Sequence, residues 1–287
     1  LYLCTPIRIS PQNNYYIGTY SIPGLQFQIS HLNQLCNFDQ NYKATHLKFK
    51  RFGYLNWSSG LPKKKTLMLL LWTSTKFLHL PKDVGFLIGK DSPIKYLVLQ
   101  VHYMNKFPGK DNSGVLLKYT NMPRQAGVFL LGTSGVIPAH RVEHMETACT
   151  MNEDKTIHPF AFRPHTHALG KMVTGYVVRQ KTNGDDWQLL GKQNPQLPQM
   201  FYPVANTEPI HRGDVLAARC TMNNTLDHIV RIGATNKDEM CNFYLMYWVE
   251  NDTPLQQKYC FSAGPPYYYW NRAQENFNRI PDKDLEV

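Results

Sequence analysis

No apolar run in the sequence is long enough to cross a bilayer as a helix. The longest, TLMLLLW at 66–72, has the length of a buried strand. Runs of Ala, Leu, Glu and Lys that would build helices are scarce. Short Val/Ile/Tyr/Phe/Thr stretches stand in their place, divided by Gly, Pro and Asn. With 17 Tyr and 14 Phe in 287 residues, they predict a mostly β chain. There is no CxxC among the six cysteines (Cys4, Cys36, Cys149, Cys220, Cys241, Cys260), which favours disulfides in an oxidising compartment over a zinc site. Acidic residues are outnumbered, 21 against 31 Lys and Arg, for a net charge of +10. Apart from KKK at 63–65 the basic residues are dispersed. There is no basic helix, zinc finger or RNA-binding motif, so the surface argues against nucleic acid, although its positive field would favour anionic substrates. Internal repeats and low-complexity tracts are absent as well. The sequence starts at Leu1 without a signal peptide and reads as a processed or incomplete product. Sequons at Asn56-Trp57-Ser58 and Asn223-Asn224-Thr225 are compatible with export.

The length suits two domains, and the Pro/Gly/polar stretch NMPRQAG at 121–127 predicts the boundary, giving domains 1–123 and 124–287. In the first, KDVGFLIG and KYLVLQVHY read as strands. The second run alternates, placing Gln100 and His102 on one face. In the second domain GVFLLGTSGVIP (127–138) predicts a strand pair, and TNGDD (182–186) separates two strands as a hairpin would. The further short, turn-bounded runs predict a β-sandwich. The tail from Tyr267, aromatic and polar, is expected to wrap loosely.

The chemistry gathers in FRPHTHALGK, 162–171. On an extended strand Arg163, His165 and His167 share a face, with Phe160 and Phe162 on the other. Pro164 removes one ladder donor, which places this strand at an edge or a bulge. Two imidazoles on one face can chelate copper, zinc or iron. The same parity in DEMCNFYLMYW puts Met240, Asn242, Tyr244 and Met246 on one face and Cys241 and Phe243 on the other. Met240 can be read as gap-filling core or as a soft ligand. A thioether joined to imidazoles argues for copper.

At this point the sequence resembles a known family, the copper type II, ascorbate-dependent monooxygenases. The blocks that carry the resemblance are LYLCTPIR, LPKDVGF, KYLVLQVHY, FRPHTHALGKMVTGYVVR, LLGKQNPQLPQMFYPV, GDVLAARC and DEMCNFYLMYW. The NPQLPQ…FYPV block favours the branch that hydroxylates peptides over the branch that acts on catecholamine precursors. The resemblance implies an all-β chain of two antiparallel, jelly-roll-like β-sandwich domains, each carrying one copper, with a cleft between them. It implies His165, His167 and Met240 as ligands of the catalytic copper, and Arg163, Asn242 and Tyr244 as a grip on the substrate carboxylate. His158 and Gln100 match second-shell or cleft positions, and His102 and His46 match ligands of an electron-transfer copper. Cys220–Cys241 and Cys149–Cys260 match two family disulfides. The implied reaction is hydroxylation of the α-carbon of a C-terminal glycine in a peptide, with dioxygen as co-substrate and ascorbate as reductant. This is the first step of peptide amidation in the lumen of the secretory pathway or outside the cell. The second step needs a lyase domain or enzyme that these residues do not contain.

The stretch 15–65 departs from the family. In ATHLKFKRFGYLN (44–56), Leu47 stands where a second adjacent histidine is expected and Tyr54 where a cysteine is expected. Two explanations stand side by side: a gene-prediction or frame error in an otherwise normal sequence, or a genuine variant with an impaired electron-transfer site. Two alternatives follow: a non-catalytic secreted protein that binds copper or a peptide terminus, and a hydroxylase of small phenolic amines. Arg163, Asn242 and Tyr244 argue against the latter, because an amine offers no carboxylate to grip.

Overall fold

The computed structural model describes residues 2–8, 14–20, 27–28, 80–89, 91, 96–102, 116–120, 124–235 and 237–283. The chain divides into two compact units, Leu1–Ala126 and Gly127–Val287. The described strands are β1 (Tyr2–Arg8), β2 (Asn14–Tyr20), β3 (Phe27–Gln28), β4 (Val84–Gly89), β5 (Tyr96–His102), β6 (Leu116–Thr120), β7 (Arg124–Thr133), β8 (Val136–Ile137), β9 (Arg141–Thr150), β10 (His158–His165), β11 (Gly170–Arg179), β12 (Asp186–Gln193), β13 (Tyr202–Pro203), β14 (Val215–Asn224), β15 (Val230–Arg231), β16 (Asn242–Val249) and β17 (Tyr259–Ser262). A single 3-10 turn, Trp270–Arg272, is the one helical element among the described residues. No helix there is long and apolar enough to cross a membrane. The chain is all-β, as its composition predicts.

In the first unit β5 lies between β1 and β3, and β2 between β4 and β6. Alternate residues of β4, Val84, Phe86 and Ile88, are buried, the mark of a strand with one face on a core. The run 66–72 lies outside the described residues.

The second unit is a sandwich. One sheet runs β12-β11-β14-β9, and the other β13-β10-β16-β7 with β17 added alongside β7. Their facing sides supply one core. Met145, Val173, Val177, Leu216 and Cys220 come from the first sheet, and Phe129, Leu131, Phe162, Phe243 and Leu245 from the second. Phe162 stacks on Phe243 at 5.4 Å between ring centres. Both disulfides implied by the resemblance are formed, and both tie one sheet to the other. Cys149–Cys260 joins β9 to β17, and Cys220–Cys241 joins β14 to the residue preceding β16. The hairpin at 182–186 is present, with Arg179 opposite Asp186 and Val178 opposite Trp187.

Two expectations are corrected. The run 127–138 does hold two strands, but they do not pair with each other. Gly135, at φ +114°, turns the chain away, and β8 pairs with β15. The tail does not wrap loosely. Trp270 is fully buried on the outer side of the β9–β14 pair, in a second core with Val178, Val215, Ala217 and Phe277. There Glu146 accepts from Arg219 Nε at 2.7 Å and from Trp270 N at 2.7 Å, while Arg219 Nη1 donates to the carbonyls of Pro281 and Asp282 at 3.0 Å each. The Arg219 guanidinium lies 4.5 Å over the Trp270 ring. A buried ion pair therefore latches the tail through its backbone.

Candidate metal centre

Strand β10 carries the candidate residues because its alternation is intact where it matters. From Ala161 on it pairs residue for residue with β16, placing Arg163 opposite Tyr244 and His165 opposite Asn242. A register shift between Pro159 and Ala161 marks a bulge at Phe160, so the alternation does not extend back through that residue. On the far side β13 pairs only with Ala161 and Phe162. Pro164 thus sits where no second ladder asks for its missing N–H. Phe162 points into the core, while Arg163 and His165 project from the other face. The strand ends at His165, so His167 belongs to the turn that follows.

The hydrogen bonds fix both imidazole tautomers. Gln199 Nε2 donates to the carbonyls of Thr166 (2.8 Å) and Pro195 (2.9 Å), which leaves its oxygen as the acceptor facing His165 Nδ1 at 2.5 Å. His165 Nδ1 is therefore the protonated nitrogen, and Nε2 keeps its lone pair. His167 Nδ1 donates to the Asp238 carbonyl at 2.8 Å, which leaves Nε2 as the nitrogen turned away from that contact. The two rings lie 5.6 Å apart, nearly perpendicular. Burial, reinforced by the Arg163 charge, pushes His165 down to about 3, so this imidazole is neutral at physiological pH. Neutral nitrogens oriented by a hydrogen bond on the opposite ring atom are what a metal requires of histidine.

A single carboxylate sets the position of the neighbouring segment. Glu239, 1% exposed, accepts from the backbone N–H groups of His167, Leu169 (2.7 Å) and Met240 (2.8 Å). It staples the His167 turn to the residues that lead into β16. Burial raises its pKa, and these three donors oppose the rise. Met240, 8% exposed, lies just before β16, with its sulfur 3.8 Å from Asn242 Nδ2. Within β16, Phe243 and Leu245 enter the core, whereas Asn242, Tyr244 and Met246 lie on the other face.

Arg163 is 1% exposed, yet its Nη1 has no partner among the described residues. Its Nε donates to the Gln199 carbonyl at 2.6 Å, and its guanidinium lies 5.3 Å over the Tyr244 ring. Burial lowers it to about 10, opposed by Tyr244, so it remains a cation at neutral pH. Burial likewise raises the Tyr244 hydroxyl, which stays protonated. The site thus presents a buried cation with an open donor, on the same sheet face as an imidazole and close to a thioether.

His158 stands at the opposite end of β10, stacked on Trp248 at 3.9 Å, and is not brought to the cluster. Gln100 and His102 lie on β5, opposite Cys4 and Tyr2 in the backbone register. Their side chains, like all of His46, Leu47 and Tyr54, lie outside the described residues. Sequence reasoning gave no role to Gln199, Gln196, Asp238 or Glu239. Gln196 Nε2 donates to the carbonyls of His167 (2.7 Å) and Gly170 (2.9 Å), closing the turn from the other side. The PQLPQ run, 195–199, carries both glutamines that hold this turn.

Residues 124–273 match the family described as copper type II ascorbate-dependent monooxygenase, C-terminal domain. The chain belongs to this family. Among its relatives, it is 34% identical over 282 residues to peptidyl-glycine alpha-amidating monooxygenase A of Xenopus laevis, covering 94% of this chain and 29% of that one. It is 40% identical over 212 residues to peptidylglycine alpha-amidating monooxygenase of Rattus norvegicus, covering 71% and 20%. With human dopamine beta-hydroxylase the identity is 28% over 247 residues, covering 79% and 37%. The chain therefore spans only a fraction of the length of these curated relatives.

The donors of this site fit copper. Among the described residues no group of three or more His, Cys, Asp or Glu could hold a metal, and the one buried carboxylate near the two histidines is occupied by three backbone donors. Two imidazoles and a thioether remain, a set too soft for calcium or magnesium and suited to Cu(I).

Proposed function

We propose that this chain hydroxylates the α-carbon of a C-terminal glycine in peptides, taking one oxygen atom from dioxygen and its electrons from ascorbate. The observation that carries the reading is the unpartnered Nη1 of the buried Arg163 on the face that also bears His165, Asn242 and Tyr244. A buried cationic donor left open is costly unless a ligand completes it. A carboxylate is the group that a guanidinium matches best. A phenolic amine would bring a second cation to this position.

His165, His167 and Met240 would hold the catalytic copper, and Arg163, Asn242 and Tyr244 the substrate carboxylate. Copper, when bound, supplies the one-electron chemistry that activates dioxygen. The chain's own work is positional. Arg163 pins the carboxylate, and Asn242 and Tyr244 direct hydrogen bonds toward it. The glycine α-carbon, one bond from the carboxyl carbon, is thereby held beside Met240 and His165. Gln199 serves both halves, through its carbonyl to Arg163 and its side chain to His165, so the substrate grip and the metal ligand move as one body. His102 and His46 would hold a second, electron-transfer copper, weakened by Leu47. The two disulfides support an oxidising compartment such as the secretory pathway. A lyase domain or partner would complete amidation.

The test is incubation of the copper-loaded chain with ascorbate, isotopically labelled dioxygen and a glycine-extended peptide. The proposal expects one labelled oxygen on the terminal glycine, and no reaction with the same peptide carrying a C-terminal amide. Equal reaction with both, or none with either, would refute it.

A further inference from the structure

The outer side of the β12-β11-β14-β9 sheet is covered unevenly. Directly opposed residues of β14 and β9 step along it: Ala217 with Ala148, Arg219 with Glu146, Thr221 with His144, and Asn223 with Val142. The tail lies over the first two pairs, through Trp270 and the Arg219 latch. The third pair is buried too, with the Thr221 hydroxyl 3.2 Å from His144 Nδ1. At the fourth pair the face opens. Val142 is 48% exposed. Asn223 is half-buried, and its side-chain amide makes no hydrogen bond among the described residues.

Asn223 begins the run Asn223-Asn224-Thr225, and the fold sorts its three side chains. Alternation turns Asn224 to the inner side. Fully buried there, its Nδ2 donates to the carbonyls of Ile137 (3.1 Å), Pro138 (3.0 Å) and His228 (3.0 Å), and its Oδ1 accepts from Leu226 N at 3.0 Å. These bonds pin the turn that follows β14 and leave Thr225 exposed. The same turn bares Leu226, 42% exposed, and Ile229, 57% exposed. Three open apolar side chains thus lie within the segment 223–229 or directly opposite it. Asn251-Asp252-Thr253 has the same residue pattern in a different setting. Pro254 follows it, and the Thr253 hydroxyl accepts from Lys155 Nζ at 3.0 Å.

We propose that Asn223 carries an N-linked glycan, and that the glycan covers Val142 and the turn 225–229. The inference needs passage through the secretory pathway, the compartment proposed above, and does not depend on the reading of the copper site. The donor is a lipid-linked oligosaccharide diphosphate. Asn223 Nδ2 bonds to C1 of its first sugar, the C1–O bond to the diphosphate breaks, and the lipid diphosphate leaves. The amide gives up one proton to a base of the transferase, and nothing is oxidised or reduced. The Thr225 hydroxyl, two residues on, completes the acceptor pattern. A sugar ring laid on Val142 removes apolar area from water through its C–H groups, while its hydroxyls stay hydrated. The glycan thereby takes over, at the fourth pair, the cover that the tail gives the first two.

The experiment secretes the chain from eukaryotic cells behind a cleavable signal. The product is treated with peptide N-glycosidase in heavy-oxygen water and mapped by mass spectrometry. Position 223 should return as isotopically labelled aspartate, with a fall in intact mass. Asn223→Gln and Thr225→Ala should each abolish that label, the second with the asparagine still in place. Asn251→Gln should leave it unchanged. Thr225→Ala should also raise the binding of a hydrophobic dye, and Val142→Thr added to it should lower the binding again. An unlabelled position 223 in secreted native chain with Cys149–Cys260 and Cys220–Cys241 formed would overturn the site. A label at 223 with dye binding unmoved by Thr225→Ala would overturn the cover.

Discussion

A guanidinium 1% exposed with an open Nη1 costs the fold stability that a purely structural residue would not cost. Arg163→Gln should therefore spare folding while raising KM for glycine-extended peptides, since one charge-assisted pair contributes roughly 1.5–3 kcal/mol. Steady-state kinetics on paired acid and amide peptides checks this, and undiminished discrimination would remove Arg163 from the grip. Glu239 makes the opposite case, an acid that works only by accepting. Glu239→Gln keeps the shape but replaces one acceptor oxygen with a donor facing a backbone N–H. The His167 turn should loosen, and Cu(I) affinity should fall by about tenfold or more, as for other outer-shell partners of metal ligands. Competition with a copper chelator reads the change. Unaltered affinity would mean that the staple does not set the ligand geometry. Strand faces were legible: alternation places Arg163 with His165 and Asn242 with Tyr244, as the paired register of β10 and β16 has them. Gln199 and Glu239 were not. They act from 34 and 72 residues away, across loops with no period to read.

Within the elements, β9 and the tail show which ion pairs matter. Glu146 and Arg219 are 3% and 1% exposed, and Glu146 also holds the Trp270 backbone. Arg179–Glu208 has a carboxylate 59% exposed. Breaking a buried pair leaves an unmatched charge and costs roughly 3–5 kcal/mol, whereas an exposed pair contributes little. Urea unfolding should accordingly show Glu146→Gln strongly destabilised and Glu208→Gln almost unaffected; similar midpoints for the two would contradict the latch. The tail was misread from sequence because aromatic and polar residues in alternation give no hint of an ion pair waiting beneath them. The 127–138 run was misread for a related reason. Strand-forming composition shows that two strands exist, but the turn at Gly135 decides with what they pair.

For the molecule as a whole, the two disulfides close loops of 111 and 21 residues between the sheets of the second unit. Chain entropy credits them with about 5 and about 3 kcal/mol. That stability is available only where thiols oxidise, in keeping with the proposed compartment. The proposed electron-transfer copper would rest on His102 of β5 and on His46, which lies outside the described residues. Leu47→His should raise copper from about one to about two per chain and speed hydroxylation, because Cu(II) favours a third nitrogen donor. A native chain that already binds two coppers and turns over at the rate of the variant would contradict the expected impairment. The central claim, that His165, His167 and Met240 hold copper beside the carboxylate grip, is tested most directly by X-ray absorption at the copper edge of the ascorbate-reduced protein. The account predicts a sulfur scatterer that disappears in Met240→Leu while the nitrogen shell remains. No sulfur in the native protein, or sulfur that survives the substitution, would contradict it.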